Sequence, residues 1–164
     1  MRDEVDRLVA AWQRERPDLD VAPLEVLSRV TRLARHLDRA RRTAFAAHGL
    51  EAWEFDVLAA LRRAGEPYVL SPGQLLASTL VTSGTMTNRI DRLAARGLVV
   101  RAPDPDDRRG VRVGLTEAGK QRVDEALAAL LARERELLET LSVQDQQALS
   151  TLLRRLVTPF EATP

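Results

Sequence analysis

The sequence predicts a mainly α-helical fold that carries a small two-stranded β-hairpin. Apolar side chains recur every three to four residues through most of the chain, which is the spacing of amphipathic helices. Residues 98–115 break this pattern, because two short runs rich in valine flank a segment of proline, aspartate, arginine and glycine. With 164 residues, 45% of them hydrophobic and 30% charged, the chain can form one compact domain with helical extensions.

Two helices are predicted near the N-terminus. A short helix spans residues 2–16, where the apolar side chains lie on one face, and Pro17 ends it. A long helix spans residues 24–47, and Gly49 follows at the position where glycine commonly ends a helix.

Three shorter helices come next. The first spans residues 52–64 and stops at Gly65. The second begins with Ser71 as its N-cap and proline in its first turn, and it runs to about Ser78. The third spans residues 83–96 and opens with a polar, cap-like segment.

The hairpin follows the third of these helices. Residues 98–101 and 111–115 form its two strands, the second with a period of two, and residues 102–110 form the connecting loop. The order helix, helix, hairpin over residues 51–115 is that of a winged helix-turn-helix lobe.

Two further helices complete the chain. Thr116 caps a long helix that runs to about residue 140, and a capping-box-like pair opens the last helix, which spans about 142–157. The apolar stripes of both helices are too long for the small lobe to cover. A second copy of the chain is the simplest partner, because symmetric dimers are the commonest oligomers. These stripes contain Leu127, Leu130, Leu131, Leu137, Leu138, Leu149, Leu152, Leu153 and Leu156.

Composition argues against several classes of protein. Without cysteine the chain has no disulfides or thiolate zinc site, and two histidines are too few for a multi-histidine centre, so we predict no metal site. No apolar run approaches the roughly 18 residues of a membrane span, and the first residues lack the apolar stretch of a secretory signal. We therefore expect a cytoplasmic protein with no membrane partner. An enzyme is disfavoured, because the sequence has no Gly-rich phosphate loop and no nucleophile motif, and we predict no catalytic residue.

Positive charge is concentrated in the middle of the chain. The net charge is only +1, but residues 82–112 hold seven arginines against four acidic residues. Residues 116–164 hold six basic and eight acidic residues. A surface that binds the phosphates of DNA would have this distribution.

The helix over residues 83–96 has two distinct faces. The apolar face is expected to pack into the lobe and consists of Met86, Ile90 and Leu93. The opposite face carries groups that suit the major groove, where an amide can pair with adenine and a guanidinium with guanine: Thr85, Asn88 and Arg92. Hydroxyl groups around the helix start suit phosphate contacts: Thr82, Ser83 and Thr87. The alternative is an ordinary solvated helix face.

The loop of the hairpin strengthens the DNA-binding interpretation. Arg108 and Arg109 are adjacent at its tip, where they can enter a minor groove, and neighbouring acids such as Asp107 can orient them. A solvated turn is the alternative.

The run from Thr82 to Gly119 resembles the MarR family of transcriptional regulators. The Asp-x-Arg motif of the family's wing matches Asp107-Arg108-Arg109, and Leu115-Thr116 matches the Leu-Thr that follows it. The resemblance implies a triangular homodimer with interlocked N- and C-terminal helices. It also implies that Arg109 is the wing-tip arginine and that Asp107 orients it. Residues 1–50 and 116–164 would then mediate dimerisation, and 1–50 would contribute to an effector pocket.

A finer resemblance points to the urate-responsive subgroup of that family. Members of this subgroup carry an extra N-terminal helix with a tryptophan, an aspartate on the helix before the helix-turn-helix, an arginine in the recognition helix and an arginine at the base of the wing. The matching residues here are Trp12, Asp56, Arg89 and Arg101. A flat anionic ring would suit a stacking tryptophan, two arginines and an N–H acceptor. Alternatively, Trp12 is a core anchor, Asp56 and Arg89 form a structural ion pair, and Arg101 contacts only phosphate.

These observations predict a repressor that binds a palindromic operator in double-stranded DNA as a homodimer. Urate or a related purine is the expected effector, and no other cofactor is expected. The alternatives are a MarR-type regulator with a different effector or none, and a less specific architectural DNA-binding protein.

Overall fold

The computed structural model describes residues 2–79, 83–105 and 110–161. Over these ranges the chain forms helices at both ends and a lobe of short helices and strands between them. The helices are α1 (Glu4–Glu15), α2 (Ala22–Ala47), α3 (Ala52–Arg63), α4 (Pro72–Thr79), α5 (Ser83–Ala95), α6 (Glu117–Leu138) and α7 (Val143–Glu161). The strands are β1 (Val69–Leu70), β2 (Val99–Pro103) and β3 (Val111–Leu115).

The predicted helices are confirmed, with ends displaced by a few residues. The last helix differs most from its predicted end, because α7 continues through Pro159 to Glu161 rather than ending near residue 157. The short helix predicted over residues 2–16 is α1, and the prediction of a Thr116 N-cap for α6 is confirmed, because the Thr116 hydroxyl accepts the Gly119 N–H.

The predicted two-stranded wing is confirmed, and a third strand, which was not predicted from the sequence, joins it in one sheet. The sheet has the order β1-β3-β2, and both pairings are antiparallel. Val69 pairs with Gly114, and Leu70 pairs with Val113. A two-residue strand shows no alternation that sequence reasoning could detect. The paired strands β2 and β3 still form the predicted wing, and β1 anchors the wing to the lobe.

The core of the lobe lies where α3, α4, α5, α6 and the sheet meet. The rings of Phe45 and Phe55 stack with their centroids 3.9 Å apart, which joins the end of α2 to α3. The largest fully buried side chains from the other elements include Leu58, Leu61, Leu75, Met86, Ile90, Leu93 and Val113. Burial of this cluster is the main stabilising contribution to the lobe.

Helix α1 is attached to α2 by a separate contact. Its buried residues Val5 and Val9 form a small apolar cluster with Val21, outside the main core. Ion pairs flank this cluster, since Arg29 on α2 lies 2.8 Å from Asp3 and 2.7 Å from Asp6. The guanidinium of Arg29 lowers the pKa of the exposed Asp3 carboxyl to about 2.

Large apolar side chains remain exposed on the terminal helices. Helix α7 has no buried residue among those described, and Leu152 and Leu156 are 55% and 49% exposed. Other exposed apolar residues on α2 and α6 include Val26, Leu27, Val30, Leu33, Leu127, Leu131, Leu137 and Leu138. Leu130, predicted in the same stripe, instead packs into the lobe core. Among the described residues, no helix is both long and apolar enough to span a bilayer.

Candidate DNA-binding face and effector residues

Helix α5 packs against the lobe through the predicted apolar face. Met86 and Ile90 are 1% exposed and Leu93 is fully buried. This arrangement confirms the assignment of the inner face and fixes the rotation of the helix about its axis, because side chains three and four residues apart share one face.

The opposite face of α5 is exposed to solvent. The main chain of Ser83 begins the helix, and Thr85, Thr87 and Asn88 follow on its exposed surface. Arg92 lies one turn beyond Asn88 and is also exposed. The Thr82 residue and the Ser83 side chain lie outside the described parts of the chain. The face therefore presents hydroxyl, amide and guanidinium groups side by side.

Arg92 is held by two residues at the start of α3. Its Nη2 lies 2.9 Å from Glu51 Oε1, and its guanidinium carbon lies 4.7 Å from the centroid of the Trp53 ring. The indole Nε1 of Trp53 donates to the other oxygen of Glu51 at 2.7 Å. The Trp53 hydrogen bond and the Arg92 guanidinium lower the pKa of the Glu51 carboxyl.

A second arginine ties α5 to α3 at a buried carboxylate. Glu54 is 1% exposed, and its Oε2 accepts a hydrogen bond from Arg96 Nη1 at 2.5 Å. The same oxygen accepts the Glu51 main-chain N–H at 2.9 Å, and Arg96 also donates to the Gly49 carbonyl oxygen at 2.7 Å. Sequence reasoning missed this pair. The signal was available in part, since Glu51 and Glu54 have the spacing of a capping box.

The base of the wing loop is closed by polar contacts. The main-chain N–H of Asp104 donates to the Gly110 carbonyl oxygen at 2.9 Å, and the Asp104 carboxylate lies 3.0 Å from Arg112 Nε. The residues predicted at the tip, Asp107, Arg108 and Arg109, lie outside the described parts of the chain. Their assignment to DNA therefore stays a prediction.

The four predicted effector residues have separate neighbours in the single chain. Asp56 lies 3.7 Å from Arg41 on α2, so in the single chain it does not form the alternative ion pair with Arg89. Arg89 instead lies over the Trp53 ring, with its guanidinium carbon 5.4 Å from the centroid. The two residues diverge because α3 directs Asp56 toward α2, whereas Arg89 packs on the start of α3.

Trp12 and Arg101 lie on α1 and β2 and have different surroundings. Arg101 on β2 pairs with Asp91 on α5. Trp12 on α1 is 48% exposed, and the valines Val5 and Val9 fasten that helix. A role for Trp12 as the core anchor of α1 is therefore wrong for the single chain.

Sequence comparisons place the chain among known regulators. A model described as the MarR family matches residues 48–110. The transcriptional regulator PecS of Dickeya dadantii is 38% identical over 153 residues, which cover 93% of this chain and 92% of PecS. The chain belongs to the MarR family. The transcriptional repressor NicR of Pseudomonas putida is a second MarR-family relative, 31% identical over 85% of this chain and 89% of its own.

Solved structures of the MarR family share the fold. A mutant MarR from Escherichia coli complexed with operator DNA superposes with a TM-score of 0.69 at 27% identity, over 85% of this chain and 99% of that one. BpsR of Bordetella bronchiseptica, whose DNA binding is regulated by 6-hydroxynicotinic acid, gives a TM-score of 0.60 at 30% identity, over 78% and 98% of the two chains. The relatives and the fold are those of DNA-binding transcriptional regulators and not of enzymes.

Proposed function

We propose that the protein is a homodimeric transcriptional repressor that binds a palindromic operator and is released from it by a small anionic aromatic ligand, urate or a related purine. The exposed polar face of α5 carries the DNA-binding part of the proposal. It places Asn88 and Arg92 one turn apart on the outer side of a helix whose inner side is buried. In a helix-turn-helix lobe this helix enters the major groove.

The chemistry of each side chain indicates which part of the DNA it would contact. Asn88 and Arg92 would read base edges, since an amide suits adenine and a guanidinium suits guanine. Thr85 lies on the same face as these two residues, whereas Thr82, Ser83 and Thr87 would contact phosphates near the helix start. The wing residues Asp107, Arg108 and Arg109 would approach the adjacent minor groove.

The dimer would be formed by the terminal segments 1–50 and 116–164. Helix α7 has no buried residue among those described, and large apolar side chains are exposed on α7 as well as on α2 and α6. An apolar surface of this extent is unusual on a monomer. A two-fold partner would bury it and would place two α5 helices about one turn of DNA, or roughly 10 base pairs, apart.

Effector binding would act on the contacts that position α5. The Arg101–Asp91 pair links the wing strand β2 to α5, and Arg89 on α5 lies against Trp53. An anionic ring that recruited Arg89 and Arg101 would replace these contacts. The half-exposed Trp12 would stack on the ring, and Asp56 would accept its N–H groups. Such a ligand would favour a spacing of the two α5 helices that does not fit the operator.

The DNA-binding part is tested by selecting duplexes from a random library with the purified protein. We expect a two-fold symmetric motif that an Arg92→Ala variant binds at least about fivefold more weakly, since a bidentate base contact contributes about 1–3 kcal/mol. Arg63→Ala, at an exposed arginine at the end of α3, serves as the matched control. Equal affinity of the Arg92 variant and the wild type for the selected motif would show that the assignment is wrong.

The effector part is tested by thermal shift with urate, xanthine, hypoxanthine and salicylate. Urate is expected to raise the Tm in a saturable way, because a ligand that binds only the native state stabilises it. Asp56→Asn and Arg89→Ala should abolish the shift, whereas Asp38→Asn, which also removes an exposed ion pair, should retain it. A shift that all three variants preserve would place the ligand elsewhere on the protein.

A further inference from the structure

Three side chains join the start of α3 to the outer face of α5. Glu51 accepts hydrogen bonds from Trp53 Nε1 at 2.7 Å through one oxygen and from Arg92 Nη2 at 2.9 Å through the other. The Arg92 guanidinium also lies over the Trp53 ring, 4.7 Å from its centroid. The carboxylate thus connects the ring and the cation that rests on it. We refer to Glu51, Trp53 and Arg92 as the Arg92 clamp.

The clamp restricts the orientation of a side chain that is otherwise long and flexible. The carboxylate fixes one edge of the guanidinium, and the ring fixes its plane by a cation–π contact. Arg92 is still 54% exposed, and the Glu51 bond uses one N–H of a group that has five. A guanidinium held in this way is prepared to present its remaining donors to a guanine edge.

We propose that Glu51 and Trp53 are positioning residues that orient Arg92 for base recognition, so that Glu51 determines sequence specificity without touching a base. The proposal rests on the proposed function, in which Arg92 contacts the operator. It adds a residue outside α5 and the wing to those that determine which operator is bound.

Glu51 should influence specificity and overall affinity in opposite directions. Its side chain is 59% exposed, and like any glutamate it is ionised at neutral pH, so its charge repels nearby phosphates. Its hydrogen bond to Arg92, in contrast, favours the one guanidinium orientation that fits the cognate base. Removing the charge while keeping the shape should therefore raise binding to non-cognate DNA and lower the preference for the operator.

The experiment compares Glu51→Gln with the wild type on a selected operator duplex and on duplexes with single base-pair changes. Arg92→Ala identifies the base pair that Arg92 reads, as the position where that variant loses discrimination. At this position Glu51→Gln should lower the ratio of cognate to non-cognate affinity by about two- to tenfold, the equivalent of one hydrogen bond. In an Arg92→Ala background the same substitution should leave the ratio unchanged.

Two further variants separate positioning from folding and from bulk charge. Trp53→Phe retains an aromatic ring under Arg92 but loses the N–H that holds Glu51, and it should also lower the ratio at the Arg92-dependent position. Glu15→Gln, at the end of α1, removes the same charge far from the clamp and should leave the ratio at its wild-type value. If Glu51→Gln fails to fold, as judged by circular dichroism, Trp53→Phe decides the question.

The outcomes distinguish this inference from the function on which it depends. If Arg92→Ala changes discrimination at no position, the proposed role of Arg92 is wrong. If Arg92→Ala changes discrimination but the folded Glu51 and Trp53 variants do not, the role of Arg92 stands and the clamp is only a structural contact, which overturns the inference.

Discussion

Alanine at Gly119 should destabilise the lobe, because the helix α6 approaches the main chain of the wing at this residue. A Cβ added to Gly119 would lie 3.0 Å from the carbonyl carbon of Leu98 and closer still to its oxygen, and 2.9 Å from Leu115 Cδ1. The Leu98 oxygen already accepts the Thr116 N–H at 3.2 Å, and the Thr116 hydroxyl donates to the Gly97 carbonyl oxygen at 2.8 Å. The Leu115 side chain could turn away, but the carbonyl group of Leu98 belongs to the backbone, so the clash with it would remain.

The expected loss follows from two opposing effects. Overpacking a filled site costs about 1–3 kcal/mol, and a clash with main chain lies toward the upper end. Alanine recovers about 1 kcal/mol because it favours helix more than glycine does. We therefore expect Gly119→Ala to lower the free energy of unfolding by about 2 kcal/mol, which corresponds to a fall in Tm of about 4–8 °C for a chain of this length.

Gly84→Ala provides the matched control, since Gly84 also lies in the first turn of a helix but a Cβ there would meet nothing within 4 Å. Its stability should be unchanged or increased by up to about 1 kcal/mol. Thermal and urea unfolding followed by circular dichroism, at one protein concentration, measures both variants. If Gly119→Ala is as stable as Gly84→Ala, the close approach of Gly119 to the Leu98 main chain does not exclude a Cβ.

Three further predictions concern charge and assembly. Glu54→Gln keeps the shape of a buried side chain but weakens its bond to Arg96, and it should lower the free energy of unfolding by about 1–3 kcal/mol in a urea titration; an unchanged midpoint would mean that the pair contributes nothing. The pKa of Asp3 is lowered to about 2 by Arg29, so its contribution to stability is complete above pH 3.8 and disappears as the pH falls toward 2. Over that interval the Tm of the wild type should fall more steeply than that of Asp3→Asn, and parallel curves would contradict the assignment. Leu156→Asp, on the exposed face of α7, should convert a dimer into a monomer in light scattering, and an unchanged mass would exclude this face from the interface.

The sequence predicted those parts of the fold that depend on local periodicity. Helix α5 is an example, since the spacing of Met86, Ile90 and Leu93 determines which face is buried wherever the helix packs. Strand β1 shows the limit of this reasoning. Its two residues carry no periodic signal, and it exists because β3, far along the chain, offers hydrogen bonds to Val69 and Leu70.

The candidate site likewise depends partly on local sequence and partly on contacts between residues that are distant in the chain. That α5 exposes Asn88 and Arg92 follows from the helix itself. The partners of its arginines do not, because Glu51 and Glu54 reach Arg92 and Arg96 only through the way in which α3 packs beside α5. For the same reason the sequence could not show that the alternative Asp56–Arg89 ion pair is absent from the single chain, where helix packing brings Asp56 to Arg41 instead.

Release of the DNA-bound dimer by a ligand can be measured by fluorescence anisotropy of a labelled, selected duplex that is saturated with protein and titrated with urate. Urate should lower the anisotropy in a saturable way to that of the free duplex. Under the same titration, Arg89→Ala should keep the duplex bound. An anisotropy that stays at the bound value for the wild type, at urate concentrations that saturate its thermal shift, would show that urate binds without releasing the dimer from DNA.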